Sequence, residues 1–194
     1  MKEIKRDFYL NKLIKKDGNG QIKVITGIRR CGKSYLLKNI FYKYLLKEND
    51  KDHVIYIPLD IKENEYLHDG NKFIEYIKSL IKDDKKYYLL IDEIQQMKDF
   101  VPVLNTFLYE DSIEVYVTGS NAKLLSKDVV TEFRGRGDEI HVYPLSFSEY
   151  MSAFDGDQYE GYEQYSIYGG LPYTLTLESD TERSNYLKKL FEET

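Results

Sequence analysis

Apolar positions along this chain switch repeatedly between a strand-like and a helix-like period. Ile22 to Thr26 reads as a short buried strand. Leu36, Leu37, Ile40, Phe41, Tyr44 and Leu45 then recur at helical spacing, which predicts an amphipathic helix over Lys33 to Lys47. A polar turn, Glu48 to Asp52, leads to a second strand, His53 to Leu59, with Pro58 near its end. Beyond a loop through Gly70, the stripe Phe73, Ile74, Ile77, Leu80, Ile81 predicts another helix, and Tyr87 to Ile91 a third strand ending in Asp92-Glu93. Phe100, Val101, Val103, Leu104, Phe107 and Leu108 form a third helical face, with Pro102 tolerable in the first turn. Ile113 to Thr118 is the fourth strand, stopping at Gly119-Ser120-Asn121, and Glu139 to Tyr143 the fifth, closed by Pro144.

Such alternation predicts an α/β protein with a mostly parallel sheet and helices on both faces. The near-continuous apolar strands agree, because a parallel sheet is covered on both sides. After Ser146 the pattern changes. Phe147 to Phe154 reads as a helix, Asp155-Gly156-Asp157 breaks it, and the rest carries no strong strand signal. Residues 1–145 are thus expected to form the core and 146–194 a mainly helical segment packed on it.

Between the first strand and the first helix lies Gly27-Ile28-Arg29-Arg30-Cys31-Gly32-Lys33-Ser34, which fits G-x-x-x-x-G-K-[ST]. This motif works only as a strand-loop-helix turn, and that is where it sits. Its glycines let backbone N–H groups close around phosphate oxygens, and the helix N-terminus adds a positive dipole. Lys33 is expected to reach the β/γ-phosphates and the Ser34 hydroxyl to ligate Mg²⁺, with Gly27 through Tyr35 lining the nucleotide. The expected ligands are therefore ATP and Mg²⁺.

The bulk composition narrows the class. A chain of 194 residues with 42% apolar and 31% charged residues suits one folded domain with a small appendage. A net charge of −5 gives no general attraction to nucleic acid or anionic lipid. Basic residues gather early (Lys2, Lys5, Arg6, Lys12, Lys15, Lys16), a run expected to be a solvated helix face. The single cysteine, Cys31, excludes an internal disulfide and suits a reducing compartment. His53, His68 and His141 show no metal spacing. No signal peptide opens the chain and no apolar run reaches membrane-spanning length, so a cytoplasmic location is expected.

Further candidates fall at strand ends, where open α/β sheets bind ligands. Asp92 closes a buried strand and is placed to hold Mg²⁺. Glu93, next to it, is the expected base for the water attacking the γ-phosphate. That acid favours hydrolysis over phosphate transfer to a small acceptor. Ser120 or Asn121 would sense the γ-phosphate or orient that water. Arg134 and Arg136 bracket Gly135, and either would stabilise transition-state charge as a finger, often supplied by a neighbouring subunit. One of Arg29 and Arg30 is expected to brace the loop.

Taken together, these stretches resemble the AAA+-type ATPases of bacteria and archaea, in the group that pairs an ATPase core with a C-terminal domain of unknown function. The resemblance rests on Ile25 to Ser34, Leu90-Ile91-Asp92-Glu93-Ile94-Gln95, Val117 to Asn121, Gly135-Arg136, Val142 to Tyr150 and Tyr168-Gly169-Gly170-Leu171-Pro172. It implies a three-layer P-loop NTPase fold with a five-stranded sheet in the order 5-1-4-3-2 and a helical lid beginning near Ser146. It further implies Asp92 and Glu93 as the Walker B pair, Ser120 or Asn121 as sensor, Arg136 as finger, and Arg6 to Leu13 near the adenine. The family often places a tryptophan shortly past the Gln95 position, where this chain offers Phe100. The chain also stops at Thr194 before the C-terminal domain such proteins carry, so the resemblance implies a core cut short of its full protein.

The leading functional expectation is an Mg²⁺-dependent ATPase that couples hydrolysis to conformational change, alone or as a homo-oligomer joined through the finger. The alternatives are a slow nucleotide switch that times attachment to a protein partner, and a DNA-associated ATPase, for which no basic stripe is evident.

Overall fold

The computed structural model describes residues 4–119 and 135–192. Helix α1 (Asp7–Lys15) precedes β1 (Ile22–Thr26). After the loop, α2 (Lys33–Tyr35) runs through a π-helical stretch, Leu36–Phe41, into α3 (Tyr42–Glu48). Then follow β2 (Val54–Pro58), α4 (Gly70–Leu80), β3 (Tyr87–Asp92), α5 (Phe100–Leu108), β4 (Ile113–Thr118) and β5 (Gly137–His141). The chain continues as α6 (Phe147–Ala153), α7 (Gln158–Tyr168) and α8 (Asp180–Glu192). Among the described residues, no helix is long and apolar enough to cross a membrane.

All five strands are parallel, in the order β2-β3-β4-β1-β5. This is the expected sheet. Strand parity divides the side chains between its faces. Ile22, Val24, Ile55, Ile57, Leu89, Ile91, Val115 and Val117 join the large core with Phe73, Ile77, Leu104 and Phe107 of α4 and α5. The opposite parity carries Tyr56, Tyr88, Leu90, Asp92, Glu114, Tyr116 and Thr118. That face meets the π-helical and α3 run, where Phe41 lies 4.7 Å from the Tyr116 ring and Tyr42 5.8 Å from Tyr56.

Several expected boundaries shift by a residue or two, and two differences matter most. The predicted single helix over Lys33 to Lys47 is helical throughout but widens to π geometry in its middle. The fifth strand starts at Gly137 and ends at His141 instead of spanning Glu139 to Tyr143. Its register explains this, because Gly137 pairs with Ile22 and His141 with Thr26. As an edge strand, β5 tolerates the polar Asp138 and Glu139, which hide it from an apolar-run reading.

The chain forms two compact units. One comprises residues 7–27 and 33–141 and holds the sheet. The other gathers residues 1–6, 28–32 and 142–194, so it takes up the phosphate-loop apex along with α6 to α8. In this helical unit, Ile4, Leu145 and Tyr150 form a small core with Phe154, Tyr165 and Leu175 packed on it. A capping box between Ser146 and Glu149 starts α6, and the Asp157 carboxylate caps α7. The Tyr168-Gly169-Gly170-Leu171-Pro172 stretch has a physical basis. Gly169 ends α7 at φ 70°, and Leu145 N–H donates to Gly170 O at 2.7 Å, so close that a Cβ on Gly170 would lie 2.1 Å from Leu145 O.

Candidate phosphate and metal site

Thr26 ends β1, and the chain turns through Gly27 at φ 142°, Arg30 at φ 66° and Gly32 at φ 101°. The two glycines occupy backbone conformations that L side chains avoid, which is why the motif specifies them. Ile28, Arg29 and Arg30 are exposed, whereas Cys31 is fully buried. The Arg30 guanidinium lies 5.3 Å from the Tyr186 ring in the helical unit, a cation–π distance. Lys33 is 3% exposed, and its Nζ donates to Gly27 O at 3.0 Å, laying the lysine back along its own loop.

Ser34 and Asp92 meet. Ser34 Oγ donates to Asp92 Oδ1 at 3.0 Å, from the first helical turn to the end of β3. Strand pairing of Ile91 with Val117 sets Asp92 beside Thr118, and equal parity brings Tyr56 of β2 to the same face. Thr118 Oγ1 donates to Asp92 Oδ1, and Tyr56 Oη donates to Oδ2 at 3.1 Å. Asp92 is only 3% exposed. Burial raises its carboxyl above the usual range, against the pull of hydrogen bonds from Thr118, Ser34 and Tyr56, and the nearby Glu93 charge adds to the rise. Burial also pushes the Tyr56 phenol well up, helped by Asp92, so it stays a neutral donor.

Glu93 takes a left-handed backbone, φ 56° and ψ 52°, rare for a residue with a Cβ. Its N–H donates to Thr118 Oγ1 at 3.0 Å, and Gln95 Nε2 donates to its carboxylate. A strained residue held by a strap at the end of a buried strand is characteristic of functional sites.

Two hard oxygen donors, Ser34 Oγ and Asp92 Oδ1, thus lie side by side, and burial disfavours the charged form of the acid. That donor set suits Mg²⁺, which takes one or two protein oxygens and completes its shell with phosphate oxygens and water. Among the described residues, no group of three or more His, Cys, Asp or Glu could hold a metal ion.

Ser120, Asn121 and Arg134 lie outside the described residues. Arg136 precedes β5, its carbonyl accepting from Ile22 N–H at 2.9 Å, and so stands at the sheet end opposite Ser34 and Asp92. Its guanidinium donates to Tyr109 Oη at 2.6 Å and lies 5.1 Å from that ring. It does not join the site of its own chain. Arg6, grouped with a solvated basic run in the sequence, is instead 2% exposed. Sequence reasoning also passed over Tyr56 and Thr118. Thr118 was findable as the last residue of a buried strand, whereas Tyr56 is revealed only by register.

The turn after β1, the parallel order and the Ser34–Asp92 contact define a P-loop NTPase core. A family profile described as "AAA domain" matches residues 19–151, and the chain belongs to that family. It is similar to an uncharacterized protein of Haemophilus influenzae, 32% identical over 196 residues, covering 97% of this chain and 48% of that protein. An uncharacterized protein of Methanocaldococcus jannaschii is 37% identical over 136 residues, covering 68% of this chain and 28% of its own length. The chain therefore spans about half or less of the curated relatives it matches. Among solved structures, C. elegans PCH-2 aligns with TM-score 0.57 at 16% identity over 85% of this chain and 50% of that one. The Aeropyrum pernix ORC1 protein, solved in complex with DNA, aligns with TM-score 0.55 at 10% identity over 78% and 48%. At such identities the likeness is one of fold.

Proposed function

We propose that this chain binds ATP with Mg²⁺ and hydrolyses it, coupling turnover to conformational change. The carrying observation is Ser34 Oγ against the buried Asp92 carboxylate at 3.0 Å, directly after a G-x-x-x-x-G-K-S loop. Backbone amides from Gly27 to Ser34 receive the phosphates, and Lys33 leaves the Gly27 carbonyl for the β/γ-phosphate oxygens. Ser34 and Asp92 would hold the metal, whose charge would favour the ionised form of the buried Asp92 carboxyl. Mg²⁺, when bound there, would offset the negative charge that develops on the phosphate oxygens.

Glu93 takes the proton of the attacking water. Thr118 fixes its backbone, so the carboxylate is presented by a strapped turn instead of a loose loop. Arg136, on the far end of the sheet, serves as a finger only for a neighbouring copy, so full turnover requires assembly. The DNA in the ORC1 complex belongs to that protein, and with a charge of −5 this chain has no general pull toward nucleic acid.

The test is Glu93→Gln. Losing a general base typically costs about 10²- to 10⁴-fold in rate, so turnover should fall by that order while MgATP still binds. Hydrolysis at the parent rate would remove Glu93 from the chemistry.

A further inference from the structure

Three acceptors on three separate stretches of chain converge on one buried guanidinium. Arg6 Nη1 donates to Cys31 O at 3.1 Å, Nη2 to Tyr143 O at 2.8 Å, and Nε to Glu149 Oε1 at 3.0 Å. All lie within the helical unit. Glu149 is engaged on its other oxygen as well, where Oε2 accepts from Ser146 N–H at 2.8 Å and Ser146 Oγ at 3.1 Å to cap α6. One ion pair therefore ties the phosphate-loop apex to the first turn of a helix. A second tie runs parallel to it, Cys31 Sγ to Val142 O at 3.3 Å.

The peptide plane gives this clamp a direction. In a trans peptide the C=O and the N–H point opposite ways. Cys31 C=O and Gly32 N–H belong to one such unit, so fixing the carbonyl on Arg6 aims the Gly32 N–H away from it. A phosphate loop that turns its N–H groups toward an anion turns carbonyls outward, and a buried outward carbonyl needs a donor. Arginine suits that place because its planar fork serves several acceptors without adding negative charge near a phosphate. Gly32 itself rests on the clamp. A Cβ there would lie 3.7 Å from Arg6 Nη1 and 3.7 Å from Pro172 Cγ, which places the Gly-Gly-Leu-Pro turn against the same loop.

We propose that Arg6 is a positioning residue for nucleotide binding: it aims the Gly32 amide and, through Glu149, makes loop geometry answer to the fold of α6. This rests on the phosphate-binding reading above. It assigns Arg6 a role that does not involve the adenine, and it couples the loop apex to the first turn of α6 inside the helical unit.

Cys31 supplies a built-in readout. It is the chain's one cysteine and is fully buried, so its alkylation by iodoacetamide reports release of the loop apex with no introduced label. Hydrogen bonds to a charged group contribute enough for a loss of about tenfold or more. Nucleotide-free Arg6→Ala, folded by far-UV circular dichroism, is therefore expected to alkylate at least about tenfold faster than the parent and to bind MgATP about tenfold more weakly. Turnover at saturating MgATP should change less than KM, because the defect lies in ground-state positioning. Arg6→Lys keeps the charge but lacks the fork, and should fall between the two.

If Arg6→Ala does not fold, Glu149→Gln replaces it. That variant leaves the guanidinium on its two carbonyls and should shift both readouts in the same direction by less. Parent-like thiol protection and parent-like MgATP affinity in the folded variant would overturn the proposal. So would fast alkylation with unchanged affinity, which would make the clamp a purely structural staple. A parent that fails to bind MgATP would overturn the nucleotide reading itself, and that failure is distinguishable because it appears without any substitution.

Discussion

One hydroxyl, that of Thr118, accepts from Glu93 N–H and donates to Asp92 Oδ1. Thr118→Val keeps the shape and removes both bonds. Leaving such partners unsatisfied costs about 1–3 kcal/mol, so the melting temperature should drop and turnover should fall with little change in MgATP affinity. Equal loss of affinity and turnover would assign Thr118 to binding instead. Asp92 works against stability. Its raised carboxyl means that the folded state holds a proton more tightly than the unfolded chain. Ligand-free stability therefore declines as pH rises from the ordinary carboxylate range through the raised value, and stays lowered at neutral pH. Asp92→Asn keeps an acceptor for Ser34 and Thr118 without the charge. At pH 7 it should melt above the parent without ligand and lose most of the shift that MgATP gives. A ligand-free melt below the parent's would contradict this. The loop, Asp92 and Glu93 were legible in the sequence because their spacing is itself chemical. Arg6 was not, since a basic residue among lysines reads as solvated until three acceptors bury it.

Strands show the same division. Runs such as Tyr87–Asp92 and Ile113–Thr118 are buried at every position, which is how they read as strands without alternation. The edge strand β5 and the π-helical stretch were misplaced or missed, because partner strands and packing, rather than local apolar period, decide them. Lys23 is a further case. As the second residue of β1 it is fully buried, with its Nζ on Glu114 of the neighbouring β4 and 5.3 Å from the Tyr116 ring. Removing one partner of a buried pair typically costs about 3–5 kcal/mol, whereas replacing both by apolar residues is often neutral or better. Glu114→Gln should therefore lower the denaturation midpoint sharply, and Lys23→Met with Glu114→Leu should recover most of the loss. An additive double variant, worse than either single, would show that the pair stabilises the sheet on its own account.

For the molecule as a whole, sheet order and class followed from the resemblance, whereas the allotment of residues 28–32 to the helical unit could not, because only three-dimensional contacts reveal it. Arg136 gives the whole-molecule prediction for turnover. Since it stands across the sheet from its own Ser34 and Asp92, activity per chain should rise with protein concentration, and Arg136→Ala should abolish that rise; trans-acting fingers supply about 10³- to 10⁵-fold. Activity per chain independent of concentration would argue for a monomeric enzyme without a finger.

The central claim, a phosphate tail and its metal held by the loop, Lys33, Ser34 and Asp92, is tested most directly by a thermal melt with and without millimolar MgATP. Ligand at about a hundredfold over its Kd adds roughly 2.7 kcal/mol, which at this size raises the melting temperature by about 5–10 °C. That rise should appear in the parent and vanish in Lys33→Ala. A parent melt unmoved by millimolar MgATP would contradict the claim.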